Sequence, residues 1–294
     1  MSKASPKLIR VGHSPDPDDA FMFYALAHEK IDMRGFKVEH VIEDIESLNQ
    51  RALKGELEVT AVSCHAYAYL ADKYAVMRSG ASVGDKYGPI LVQRTTHNAQ
   101  RNDKNQNVTQ NKKIAIPGKL TTAYLALQLY ALSVDRCALC GFEPVFVPFD
   151  KIFDAVKSGE ADLGLVIHEG QITHAEHGLE KVLDLGAWWH EKTQLPLPLG
   201  IDIIRRDLGG ETIAAFSKLF KESIEYALNH RKDALEYASQ FGRGISGDLN
   251  DRFVAMYVND RTLDIGKEGE AGFRRLLDLA FEHKIIPHKV NLEF

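Results

Sequence analysis

For its first two hundred residues the chain alternates short apolar runs with segments of helical period, and this alternation narrows the possible folds more than any other feature. Strand-like runs occupy Leu8–Gly12, Phe36–Ile42, Leu57–Ser63, Ile90–Gln93, Lys113–Ile116, Pro144–Val147, Leu163–Ile167 and Leu199–Ile204. Helical patterns lie between most of them, at Asp19–Lys30, Ile45–Lys54, His65–Asp72, Thr121–Cys140 and Phe149–Lys157. Such alternation predicts α/β layers with mostly parallel strands. After Leu208 the pattern turns almost wholly helical, through GETIAAFSKLFKESIEYALNHRKDALEYASQF and two further amphipathic segments. At 294 residues the chain is long enough for two lobes.

Two sequence features bear on how the lobes divide. The segment TTHNAQRNDKNQNVTQNK (95–112) is polar, rich in Asn and Gln, and almost free of apolar residues. It buries too little surface to offset its ordering entropy, so an exposed, mobile insertion is expected there, close to a lobe boundary. The second feature is an internal echo. ALKGELEVTAVSCH (52–65) resembles AVKSGEADLGLVIHE (155–169), each running from a helix end through Gly-Glu into an apolar strand and then polar residues. Aligning Gly55 with Gly159 sets Ser63 and Cys64 opposite Ile167 and His168. In open α/β sheets ligands sit beyond the carboxyl ends of the strands. Ser63 and His168 are therefore expected on opposite walls of one cleft. The crossovers predict one lobe of residues 1–93 plus 205–294 and a second of 94–204.

Composition excludes several roles. A net charge of −5 and no Lys/Arg cluster interleaved with aromatics give no case for nucleic-acid binding. No apolar run is long enough to span a bilayer, so no membrane insertion is expected, and MSKASPKLIRVGHSPDPDD has no apolar stretch of signal-peptide length. A cytoplasmic location is the expectation. Three cysteines make no disulfide framework. Cys137 and Cys140 sit at the far end of a helical run, where the helix dipole opposes thiolate, and no second ligand pair is evident, so two half-buried structural residues are expected.

Four stretches carry candidate chemistry. In GHSPDPDDAF (12–21) a strand end meets a Pro-rich turn and a helix start. His13, Asp16, Asp18 and Asp19 match no calcium loop, which needs a central Gly, so Asp18 or Asp19 is expected to cap the helix, with Ser14 able to reach a ligand. In IAIPGKLTTAYLAL (114–127) a helix begins at Thr121 and Thr122. Two readings stand open there: an anion site for a ligand carboxylate, or plain capping. In GASVGDKYGP (80–89) the small residues Gly80, Ala81, Gly84 and Gly88 either admit a ligand or only make a turn. In VIHEG, His168 and Glu169 follow a buried strand, either as a strand-end polar pair or as the chemistry itself.

Taken together and in order, GHSPDPDDAFMFYAL, VSCHAY, SGASVGDKYGP, IPGKLTTA, VIHEGQ, DLGAWW and LPLPLG resemble the 1,4-dihydroxy-6-naphthoate synthases of the futalosine route to menaquinone. The resemblance spans essentially the whole chain to about Arg206 and continues less distinctively through the helical tail. It implies a two-lobed fold similar to type II periplasmic binding proteins, with an interlobe cleft and a helical C-terminal segment. It implies a lyase that converts cyclic dehypoxanthine futalosine to the naphthoate and releases a sugar-derived fragment, with no metal and no organic cofactor. The partner it implies is a small-molecule carboxylate substrate. Carried over by motif, His168 is the base, Thr121 and Thr122 lie around the substrate carboxylate, and Ser63 stands on the opposing lobe. The chain departs from the pattern at Asp18-Asp19-Ala20, where many relatives carry Asn-Asp-Thr, and in the length of the 95–112 segment.

The chemistry such a reaction needs agrees with this residue set. A proton must leave carbon, for which a neutral imidazole near its ordinary pKa is a suitable base at pH 7. Glu169 is the alternative base, with His168 orienting the substrate. Rival readings are a solute-binding protein of the same fold, a chorismate dehydratase of the same pathway, and a one-component regulator, for which no helix-turn-helix is evident. The I-H-E and L-P-L-P-L-G elements favour the synthase over the dehydratase.

Overall fold

The computed structural model describes residues 5–95, 108–135, 141–241 and 247–294. Residues 96–107 of the polar segment and the Cys137–Cys140 pair therefore lie outside the described residues. The ends of that segment are anchored. Thr95 binds the Gly178 carbonyl, Thr109 is buried, and Lys112 already pairs in a strand, so the expected exposure does not extend to Thr109.

The strands form two sheets of matching design. The first runs β2 (Phe36–Ile42), β1 (Lys7–His13), β3 (Val59–Ser63), β11 (Leu197–Arg205) and β4 (Tyr74–Val76), with the short β5 (Ser82–Gly84) also on β11. The second runs β8 (Phe142–Phe146), β7 (Lys112–Ile116), β9 (Leu163–Val166), β6 (Ile90–Arg94) and β10 (Leu179–Asp184). In each, three parallel strands are followed by an antiparallel strand contributed by chain crossing between the sheets. The expectation of mostly parallel strands thus holds only for these triplets. β6 and β11 return from the other sheet and enter against the grain.

The crossing strands also move the expected lobe boundaries. β6 hydrogen-bonds to β9 and β10, and β11 to β3, β4 and β5. By sheet membership the chain crosses before Ile90 and again between Asp184 and Leu197, not after residue 93 and near residue 205. The internal echo has a structural basis. Helices α2 (Ile45–Lys54) and α5 (Ile152–Ser158) both end on a left-handed glycine, Gly55 at φ 73° and Gly159 at φ 84°, and β3 and β9 follow. A left-handed C-cap closes the helix in one residue and redirects the chain into the sheet.

Helix α1 (Pro17–Ala27) is buried along nearly its whole length because α8 (Gly210–Asn229) and α9 (Arg231–Ser239) of the helical tail cover it. That enclosure accounts for its uniform apolar character and takes its first-turn aspartates out of water. One core cluster continues across both sheets, joining Val62 of the first with Leu91 and Ile114 of the second, together with the helix residues Tyr67, Leu125 and Trp189. Among the described residues no helix is long and apolar enough to cross a membrane.

Candidate active site

The carboxyl ends of the inner strands of both sheets open onto one cleft. The turn after β1 delivers Ser14 and Asp16, the start of α1 delivers Asp18 and Asp19, β3 ends in Ser63, the helix start after β7 delivers Thr121 and Thr122, and the turn after β9 delivers Ile167 and His168. Of the residues singled out from the sequence, Ser14, Ser63, Thr121, Thr122 and His168 all line it. Apolar side chains such as Ile45, Pro89, Leu199 and Phe253 complete walls suited to a flat ring.

His168 reaches across the cleft. It follows β9 in a left-handed conformation at φ 60°, uncommon for a residue with a side chain and seen most at functional turns. Its Nδ1 lies 2.6 Å from Asp16 Oδ2 on the other lobe, and the edge of its ring meets Phe149 at 5.1 Å. Ser14 Oγ donates to the same Asp16 oxygen at 2.7 Å, and Ser14 N–H donates to Asp19 Oδ2 at 2.6 Å. Burial disfavours a charged imidazole here. Asp16 outweighs that penalty, with Glu169 and Asp18 adding to it, and His168 is pushed up to about 9. The neutral imidazole expected at pH 7 is therefore corrected. The neighbouring carboxylates hold it as imidazolium.

The aspartates do not cap the helix as the sequence led us to expect. The N-cap position belongs to Asp16, followed by Pro17, and its side chain makes no capping bond because His168 and Ser14 take it. Asp19 binds Ser14 N–H instead, and burial beside Asp16 pushes it up to about 6. His13 turns away from the cleft. It stacks on Phe23, contacts His40 Nδ1 at 3.1 Å, and burial pushes it down to about 4, so it is a neutral core residue. Among the described residues no three His, Cys, Asp or Glu side chains are arranged to hold a metal ion.

Thr121 is a cap: its Oγ1 accepts from Tyr124 N–H at 3.2 Å and donates to the Gly118 carbonyl at 2.9 Å. Thr122 sits where the two sheets meet. Its Oγ1 donates to the Leu199 carbonyl of β11 at 2.5 Å and receives His65 N–H at 3.4 Å. Both hydroxyls are thus engaged within the protein. What α4 (Thr122–Asp135) offers a ligand is the Thr122 and Ala123 N–H groups of its first turn, which have no carbonyl partner within the helix, since Tyr124 N–H is taken by Thr121. Ser63 is held by Asn49, which receives Ser63 N–H at 2.9 Å and donates to Ser63 Oγ at 3.2 Å. Glu169 lines a second cavity, beside Phe153 and Thr173, and not the cleft.

Of the glycines at 80–88, Gly80 lines the cleft at φ 90°, with Asp202 and Phe220 occupying the space a Cβ would need. At Gly84 that space is taken by the Tyr87 carbonyl, so this glycine serves the turn alone. Sequence reading missed Asn49, Ser82, Gln171 and Tyr257. Asn49 left a trace, a polar residue on the buried stripe of α2. Tyr257 left none. It comes from α10 (Gly247–Tyr257), and its buried hydroxyl donates to Gln171 Oε1 at 2.9 Å, joining the lobes at the wall of the cleft.

The chain is similar to known proteins in sequence and in fold. The sequence profile of the family described as menaquinone biosynthesis matches residues 9–282. A 1,4-dihydroxy-6-naphthoate synthase of Thermus thermophilus is 41% identical over 268 residues, covering 91% of this chain and 92% of the relative. Its counterpart from Streptomyces coelicolor is 31% identical over 283 residues, 96% of each chain. A crystal structure of an Archaeoglobus fulgidus protein superposes with a TM-score of 0.85 at 46% identity, covering 95% of this chain and 98% of that one. The alkanesulfonate-binding protein of Xanthomonas axonopodis pv. citri superposes with a TM-score of 0.70 at 12% identity, covering 98% and 97%. That last likeness shows the fold alone, that of periplasmic binding proteins. With the profile spanning nearly its whole length, the chain belongs to the menaquinone-biosynthesis family of 1,4-dihydroxy-6-naphthoate synthases.

Proposed function

We propose that the chain is a lyase that converts cyclic dehypoxanthine futalosine to 1,4-dihydroxy-6-naphthoate, with His168 as the general base and Asp16 as the group that orients it. The observation that carries the residue roles is the 2.6 Å contact between His168 Nδ1 and Asp16 Oδ2 across the cleft. With Nδ1–H committed to a carboxylate, the other ring nitrogen is the one available to a substrate. Because the two residues come from different lobes, lobe closure assembles the pair.

A His168 near 9 is neutral in roughly 1% of molecules at pH 7, but each neutral one is a stronger base than free imidazole. The ring system lies between apolar walls. The N–H groups at the start of α4 receive the remote carboxylate, with Ser63 beside them, and this anchoring sets the ring against His168. Closure of the lobes keeps water from the intermediate. By sheet membership one lobe carries β1 to β5 and β11, and the other β6 to β10. A biosynthetic role on a small soluble precursor fits a cytoplasmic enzyme. Incubating the purified protein with cyclic dehypoxanthine futalosine and following the mass of the products tests the reading. Formation of the naphthoate supports it, and an unchanged substrate contradicts it.

A further inference from the structure

The cleft holds one carboxyl group that the reaction scheme above leaves unused. Asp18 is 8% exposed, lines the cleft, and its Oδ1 has no hydrogen-bond partner. An orphaned buried oxygen is costly unless something in the functional cycle satisfies it. Its neighbours are already committed: Asp16 receives His168 and Ser14, and Asp19 receives Ser14 N–H.

Charge balance decides what Asp18 can be. Among the described residues no Lys or Arg side chain lines the cleft, so there His168 is the one cationic group against three aspartates. The charged and titratable groups that act on Asp18 are Asp16 and Asp19 from its own segment and His168 from the facing lobe, and Asp18 in turn acts on Tyr257 of α10. The single positive charge is paired with Asp16. A third carboxylate in this enclosure has nothing to neutralise it.

We propose that Asp18 stands in the cleft as a neutral carboxylic acid and that its O–H donates a hydrogen bond to an acceptor oxygen of the bound bicyclic ligand. Burial first, then Asp19 and Asp16, hold its carboxyl well above the usual carboxylate range, which agrees with the geometric argument. A neutral donor at this point recognises a ligand oxygen without adding negative charge next to the His168–Asp16 pair, and a carboxylate there would repel an anionic substrate. The proposal rests on the functional reading of the cleft, because the ligand it addresses is the one that reading assigns.

Infrared difference spectroscopy tests it. The spectrum of the wild type minus that of Asp18→Asn at pH 7 isolates the Asp18 vibration. A protonated-carboxyl C=O band is expected, moving to lower frequency when 1,4-dihydroxy-6-naphthoate is added. In calorimetry Asp18→Ala weakens naphthoate binding by about tenfold or more, and Asp18→Asn, whose amide N–H still donates, recovers most of that loss. Absence of the protonated band overturns the proposal whether or not the naphthoate binds. So does a band that ignores a naphthoate that does bind, or an Asn variant as weak as the Ala variant. Failure of the wild type to bind the naphthoate contradicts the functional reading instead, and the proposal then fails with its ligand even where the band is present.

Discussion

Asp16 Oδ2 and His168 Nδ1 meet at 2.6 Å although they belong to different sheets and lie about half the chain apart in sequence. Asp16 is buried at the start of α1, and the His168 side chain is 17% exposed toward the cleft. Removing the charge of Asp16 removes the largest influence that raises His168, so Asp16→Asn lowers the imidazole from about 9 toward its ordinary value.

Two effects of that substitution can be separated by a pH profile. The acidic limb of kcat/KM, set near 9 in the wild type by the need for a neutral imidazole, moves to lower pH. The plateau falls, on the order of 10²-fold, because the ring loses its orienting partner. The sign for stability follows from the same shift. A histidine raised in the folded state stabilises it fully below the unfolded value of about 6.5 and loses that contribution as pH rises through about 9. Chemical denaturation of Asp16→Asn therefore loses this dependence between pH 6.5 and 9. An unmoved acidic limb contradicts the pairing.

The two threonines respond differently. Thr121→Ala removes the cap of α4 and lowers stability by about 1 kcal/mol, with naphthoate affinity changed little. Thr122→Val strips a hydroxyl whose partners, the Leu199 carbonyl and His65 N–H, are left unsatisfied where the lobes meet. It is expected to lower stability by about 1–3 kcal/mol, and to weaken binding only as far as the start of α4 shifts. Denaturation curves and calorimetry on the same samples check both. A large loss of affinity for Thr121→Ala at unchanged stability contradicts the capping role.

Much of the fold was legible because periodicity is a local property. The eight apolar runs each fall on a strand, and the Gly55/Gly159 echo marks the equivalent helix-to-strand turns of two matching sheets. The sequence missed β4, β5 and β10, which are short or edge strands with weak alternation, and it missed the direction of β6 and β11, which only the crossing of the chain decides. In the site, residues at strand ends were found because a strand end points somewhere. The partners were not. The sequence pointed to Asp18 or Asp19 as the cap, whereas the N-cap position falls to Asp16, whose carboxylate is taken by His168, and the titration of His168 is set by groups from both lobes that no window of sequence brings together. Tyr257 comes from a helix with no motif at all.

The central claim is that His168 removes a proton from the substrate, and single-turnover chemistry tests it most directly. His168→Asn keeps the size of the ring position and some hydrogen bonding but has no basic nitrogen. With enzyme in excess over cyclic dehypoxanthine futalosine, this variant is expected to bind the naphthoate and to lose at least about 10²–10⁴-fold in the rate of the chemical step. Glu169→Gln, altering a residue that lines the adjoining cavity, is expected to retain most of that rate. Near-normal chemistry in His168→Asn together with a dead Glu169→Gln would contradict the account and transfer the role of base to the carboxylate.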